Sequence, residues 1–119
     1  MTKRRIIKML ALVFALAMLL SVTAYAVSWN QDGISCSGYC GPKSATTTAS
    51  VPIYIEANVY CEYQEPSGKI KTTQSTATNA GTSITAYADI PSGSTMYATE
   101  GMHRVGSGTY HPSNYDHGI

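Results

Sequence analysis

Cys36 and Cys40, which close the run CSGYC, and Cys61 are the three thiols of the chain. Behind the export leader described below, thiols point to a disulfide, and three of them allow one bridge plus a spare. Cys61 falls on the apolar side of an alternating stretch, so its partner must come across the core or cap its end. A bridge from Cys61 to Cys36 or Cys40 is therefore expected in preference to one inside CSGYC. Closing a loop of that kind contributes ~2–4 kcal/mol. The spare thiol can link two chains as a homodimer. The plainer alternative leaves all three reduced, with Cys61 acting as a small hydrophobe.

His103, His111 and His117 lie in the last seventeen residues, near Glu100 and Asp116. Imidazole and carboxylate at that density can ligate zinc or copper. The spacings of eight and six residues match no metal signature, and histidine in a Gly-rich tail is ordinarily just solvated. No G-x-S-x-G elbow surrounds any serine, and no cysteine sits in a catalytic context, so no catalytic residue is assigned. Without a Gly-rich phosphate loop or paired metal-cysteine motif, no cofactor is indicated.

Tyrosine is the third feature. Tyr54 and Tyr60 share one side of an alternating stretch with Glu56, Asn58 and Glu62, and Tyr87 lies on the polar side of another. Flat rings beside carboxylate and amide groups suit a platform that stacks on sugar rings or receives a protein loop. The ordinary role of such rings is cross-strand packing.

The elements that must position these residues are strands. In residues 51–63 (VPIYIEANVYCEY) the odd positions are apolar or part-apolar, and from Tyr54 the even ones are polar or amphipathic. A two-residue period buries one face of a strand and wets the other. Pro52, with no backbone donor, belongs at the strand's start or on an edge. Turn material recurs at residues 66–68, 79–81, 91–93 and 106–108, the spacing of successive antiparallel strands. Ile84, Ala86, Ala88 and Ile90 repeat the alternation. Residues 69–78 read as an edge or a wet-faced strand, with Lys69 and Lys71 guarding it against edge-to-edge pairing. Residues 95–105 have a blurred parity that a bulge near Gly101 would resolve. Residues 27–50 mix turn formers with scattered apolar residues and read as an irregular arm carrying Cys36 and Cys40. Residues 51–119 then form an antiparallel β domain. The fold expected is a small all-β antiparallel sandwich of about five to seven strands.

Residues 1–26 read as a secretory signal peptide, helical while it lasts. Lys3, Arg4, Arg5 and Lys8 open it, residues 9–20 are apolar throughout, and Ala24-Tyr25-Ala26 offers small residues for cleavage after Ala26. The apolar run is shorter than the ~20 residues that span a bilayer, so no membrane span survives the cut. Every Leu and the single Phe precede Val27, whereas every Gly and Pro follows it. A remainder rich in Thr, Ser, Val, Ile and Tyr suits strands rather than helices.

Four bases (Lys43, Lys69, Lys71, Arg104) then face seven acids, a net charge of −3 with histidine neutral. That charge lacks the footprint of a nucleic-acid or anionic-lipid binder. Each buried side chain gives ~1.5–3 kcal/mol against ~1–2 kcal/mol of backbone entropy per ordered residue, so this core has a thin margin. A crosslink, a bound partner or a strand-edge homodimer would widen it.

The function expected is a secreted, non-catalytic β-sandwich protein that binds an extracellular glycan or protein surface through its aromatic strand face. Small size, export, Gly/Ser/Thr richness and strand patterning also resemble the secreted β-sandwich bacteriocins of the lactococcin type, a likeness of composition that covers no motif. It implies, as an alternative, an antagonistic or signalling polypeptide acting on other cells. A metal-binding protein using the C-terminal histidines is the remaining alternative.

Overall fold

The alternating stretch is the second part of a strand of 21 residues, around which five others are arranged. A computed structural model describes residues 25–118, so the expected leader helix lies outside the described residues apart from Tyr25 and Ala26. The elements are β1 (Ala26–Gln31), β2 (Ile34–Cys40), β3 (Ser44–Gln64), β4 (Ile70–Tyr87), β5 (Thr95–Val105) and β6 (His111–Asp116). Every pairing is antiparallel, and no helix occurs among the described residues.

The order is β1-β2-β3-β5-β6, with β4 on the other edge of β3. β4 follows β3 along almost its whole length. The opposite edge of β3 is shared: β2 takes its first part, from Cys40↔Ala45 to Cys36↔Ala49, and β5 its second, from Ile55↔Val105 to Gln64↔Thr95. Between Thr48 and Ile53 the register slips, at the stretch where Pro52 lacks a ladder donor. The β1–β2 arm folds over β5–β6 beyond this break, and the sheet nearly closes into a barrel. No ladder joins β1 to β6 among the described residues. Two ring stacks span that seam instead: Trp29 on His111 (centroids 4.0 Å, planes 11° apart) and Tyr25 on Tyr115 (5.0 Å, 24°).

The expected dry face is dry. Ile55, Ala57, Val59 and Cys61 have no exposed surface, and Ala45, Ala49, Ala86 and Val105 pack with them. Val51 differs, half-exposed at the register break. The turns at Gly68, Gly93 and Gly106 occur, each glycine at positive φ. Residues 79–81 do not turn: Gly81 pairs with Ile53, and β4 runs straight through. The bulge in β5 falls at Tyr97 rather than near Gly101, because the register skips from Glu62↔Ala98 to Tyr63↔Met96. Met96 is thereby returned to the core side.

Residues 27–50 are a regular hairpin and the start of β3, not an irregular arm. Asp32 (φ 51°) and Gly33 (φ 82°) form a two-residue turn with both central residues left-handed, the geometry that matches strand twist and that Asp-Gly favours. Small residues along β2 do the packing. Gly38 faces the His103 ring, and a Cβ there would overlap it; a Cβ on Gly101 would lie 2.8 Å from Ser113 Oγ.

These glycines make room for a polar centre. The Thr47 hydroxyl donates to the Glu56 carbonyl (2.7 Å), so its oxygen accepts from His103 Nδ1 (2.9 Å). His103 Nε2 then accepts from the Ser113 hydroxyl (2.7 Å), which fixes the neutral tautomer. His103 has no exposed surface. Gly38→Ala should therefore destabilise the fold by about 1–3 kcal/mol through overpacking, read as a lowered urea midpoint with an unchanged m-value.

The expected disulfide is absent: Cys36, Cys40 and Cys61 are free and buried. Each thiol rests on a different group, Cys36 on the Ile34 carbonyl (3.4 Å), Cys40 on that of Gly41 (3.6 Å) and Cys61 against the Thr99 hydroxyl (3.4 Å). They serve as small core side chains. Burial pushes the Cys40 thiol up to about 12 and raises the other two. A thiol reagent should leave the folded protein unmodified and label three sites after denaturation. A reductant should leave the melting temperature unchanged.

Candidate binding site

The outward face of β3 and β5 gathers the exposed aromatic and charged groups. Glu56 stands opposite Arg104 in the ladder, and Arg104 Nη2 lies 3.1 Å from Glu56 Oε1. The Tyr110 hydroxyl, from the segment between β5 and β6, donates to Glu56 Oε2 at 2.5 Å. The Arg104 guanidinium sits 5.0 Å from the centre of the Tyr110 ring, and the Tyr54 side chain lies near enough to help keep it charged. Both Glu56 oxygens are thus occupied and its side chain is largely covered, while the Tyr54 and Tyr110 rings stay 44% and 43% exposed. The hydrogen bond to Glu56, then burial, raises the Tyr110 phenol and keeps it a neutral donor.

Beside this cluster is a depression of about 250 Å³ lined by Glu56, Asn58, Gln74, Met102 and Tyr110. Its amides are pre-set: Gln74 Nε2 donates to Asn58 Oδ1 (3.1 Å) and Asn58 Nδ2 to Thr76 Oγ1 (2.5 Å). Rings, amides, a carboxylate and a guanidinium on three paired strands and the segment after β5 can stack on a flat ligand face and hydrogen-bond its rim.

Of the expected binding residues, Tyr54, Glu56 and Asn58 come together here. Tyr60 does not serve as a platform. It is 3% exposed, flanked by Gln74 on β4 and Glu100 on β5, and its phenol is pushed up to about 12 by burial, then by Glu62 and Glu100. Tyr87 is 71% exposed but pairs with Ser44, seven residues along β4 from the Ala80 that faces Tyr54, about 23 Å at ~3.3 Å per residue. Arg104 and Tyr110 escaped the sequence reading because alternation within one strand says nothing of its neighbours. The one available signal was that Arg104 is the sole arginine after residue 26.

The histidines do not converge. His103 is in the core, His111 lies flat on Trp29, and His117 Nε2 is 2.6 Å from Thr99 Oγ1. Among the described residues no three His, Cys, Asp or Glu side chains are placed to hold a metal. The His103–Ser113 contact is that of a base and a hydroxyl nucleophile, but Thr47 rather than a carboxylate occupies Nδ1 and both residues are buried.

A larger cavity, about 640 Å³, opens at the seam between Tyr25, Tyr97, Glu100, Tyr115 and Asp116. Burial, then Glu62, pushes the Glu100 carboxyl up to about 7, whereas burial, then His111, brings His103 down to about 4. Their pH effects oppose. Below pH ~6.5 the unfolded chain protonates its histidine and the folded chain does not, so stability falls as pH drops toward 4. Below pH 7 folded Glu100 takes a proton that the unfolded chain takes only near 4.5, so stability rises over that window. Glu100→Gln should be more stable than the native protein at pH 8. It should also lose stability more steeply between pH 6.5 and 4.5, measured as urea midpoints.

Comparison with protein-family models, curated proteins and solved structures finds no match to this chain, so the site rests on its own geometry.

Proposed function

We propose that the chain is an exported, non-catalytic β protein whose two half-sheets face one another as the layers of a sandwich and whose β3–β5 face binds an extracellular glycan or protein surface. The observation that carries this reading is the pair of half-exposed rings, Tyr54 and Tyr110, held by a single Glu56–Arg104 pair beside a polar depression.

The rings offer apolar area with few rotatable bonds, and their hydroxyl and guanidinium contacts hold them before a partner arrives. A sugar ring brings a flat C–H face for stacking and a rim of hydroxyls for Asn58 and Gln74. A protein loop brings the same two elements in its side chains and amides. Placement of Tyr54, Glu56, Asn58, Gln74 and Arg104 on strands keeps their spacing constant, and the hydrogen bond to Glu56 ties the Tyr110 ring to them from the segment after β5.

Purified protein should bind members of a glycan and cell-surface panel, and Tyr54→Ala should weaken that binding about tenfold, the loss expected of one aromatic contact at ~1.4 kcal/mol per decade. Its melting temperature should match the native protein, because the removed ring is half in solvent. Equal binding by native protein and variant, or no binding across the panel, would sink the assignment of this face.

A further inference from the structure

Two residues that a cut after Ala26 would discard are built into the barrel. The Tyr25 carbonyl accepts from the Cys40 amide at 2.6 Å, and Ala26 pairs with Tyr39, so β1 uses both to finish its ladder with β2. The Tyr25 ring stacks on Tyr115, which leans at 4.9 Å against His117, the residue bonded to Thr99 inside the barrel. Because the β1–β6 seam has ring stacks in place of a ladder, losing Tyr25 removes one of its two closures.

The sequence offers an earlier cut that spares them. Val22-Thr23-Ala24 sets compact side chains at the last and third-last positions, the two that Ala24 and Ala26 would fill for the later cut. A peptidase acting on the chain before it folds has acceptable residues at either bond. What separates the two products is the barrel each can close.

We infer that export processing hydrolyses the Ala24–Tyr25 bond, so that the mature protein begins with Tyr25. The inference rests on the exported reading above. One water is consumed: Ala24 leaves with a carboxylate, and Tyr25 retains the amine as an ammonium. That positive charge then belongs to a residue walling the cavity that holds Glu100 and Asp116, where it complements the acids.

The test is intact mass and N-terminal sequencing of the product released by a secreting host that expresses the full chain. The expected product begins at Tyr25, and Ala26→Gln, at an exposed β1 position, leaves that start unchanged. A product beginning at Val27 overturns the inference and leaves export standing. A full-length chain retained in the cell overturns export and the inference with it. As an independent measurement, chains prepared to begin at Tyr25 and at Val27 are melted side by side. The shorter one is expected to melt about 5 °C lower, the shift of roughly one lost contact in a domain of this size, and equal melting would remove the structural ground for the earlier cut.

Discussion

The break in β3 between Thr48 and Ile53 governs the rest of the structure. A flat strand of 21 residues would carry β2 and β5 side by side on one edge and leave both inner faces open to water. The break at Ala49 to Pro52 lets the sheet curl until the β1–β2 arm meets β5–β6, nearly closing a barrel, and the inner side chains then bury each other. β4 follows the bend as an unbroken strand, so the two halves stay tied through a common hairpin. The aromatic seam and the interior histidine exist only because those halves meet.

What they enclose is unlike an aliphatic core. With no Leu or Phe after residue 26, the interior is filled by Ala, Val, Ile, Cys and a connected set of Thr, His and Ser. Such a set is tolerable only when each member is satisfied, since a buried unpaired polar group costs ~1–3 kcal/mol. The chain from the Glu56 carbonyl through Thr47 and His103 to Ser113 meets that condition, and it joins residues of β3, β5 and β6. Directional bonds between distant strands admit one register, whereas a slab of small apolar residues would tolerate several. Gly38 and Gly101 belong to the same device, because they let backbones approach a ring and a hydroxyl closely.

The all-β class was legible, and so were the dry side of β3, with Ile55, Ala57, Val59 and Cys61, and the turns at Gly68, Gly93 and Gly106. Each is a local consequence of side-chain alternation or backbone freedom. Asp32-Gly33 carried an equally local hairpin signal, and it outweighs the sparse apolar content that made residues 27–50 look irregular. Asn79-Ala80-Gly81 carried a false one, since turn-forming residues also fit an edge strand that must bend with its neighbour. Parity assigned Tyr60 to the outer side but could not show that, between Gln74 on β4 and Glu100 on β5, it would be buried. For the candidate site, the Glu56 side was readable, whereas Arg104 lies 48 residues away and meets it only through the β3–β5 register.

The Glu56 carboxylate explains why the outer face is ordered where outer faces usually are not. An exposed ion pair contributes little, because water screens it and two long side chains must be immobilised. Glu56 avoids both losses. Its neighbours shield it, its own side chain is short of freedom within the ladder, and its two oxygens receive different donors, Arg104 and Tyr110. Arg104 in turn lies over the Tyr110 ring, so three contacts share one desolvation cost. The consequence is a Tyr110 ring that stays half-exposed while its hydroxyl is tethered, beside a half-exposed Tyr54. A solvated face would not need such fixing for stability alone, whereas the proposed binding role gains from it, because fixed groups lose less entropy when a ligand stacks on them.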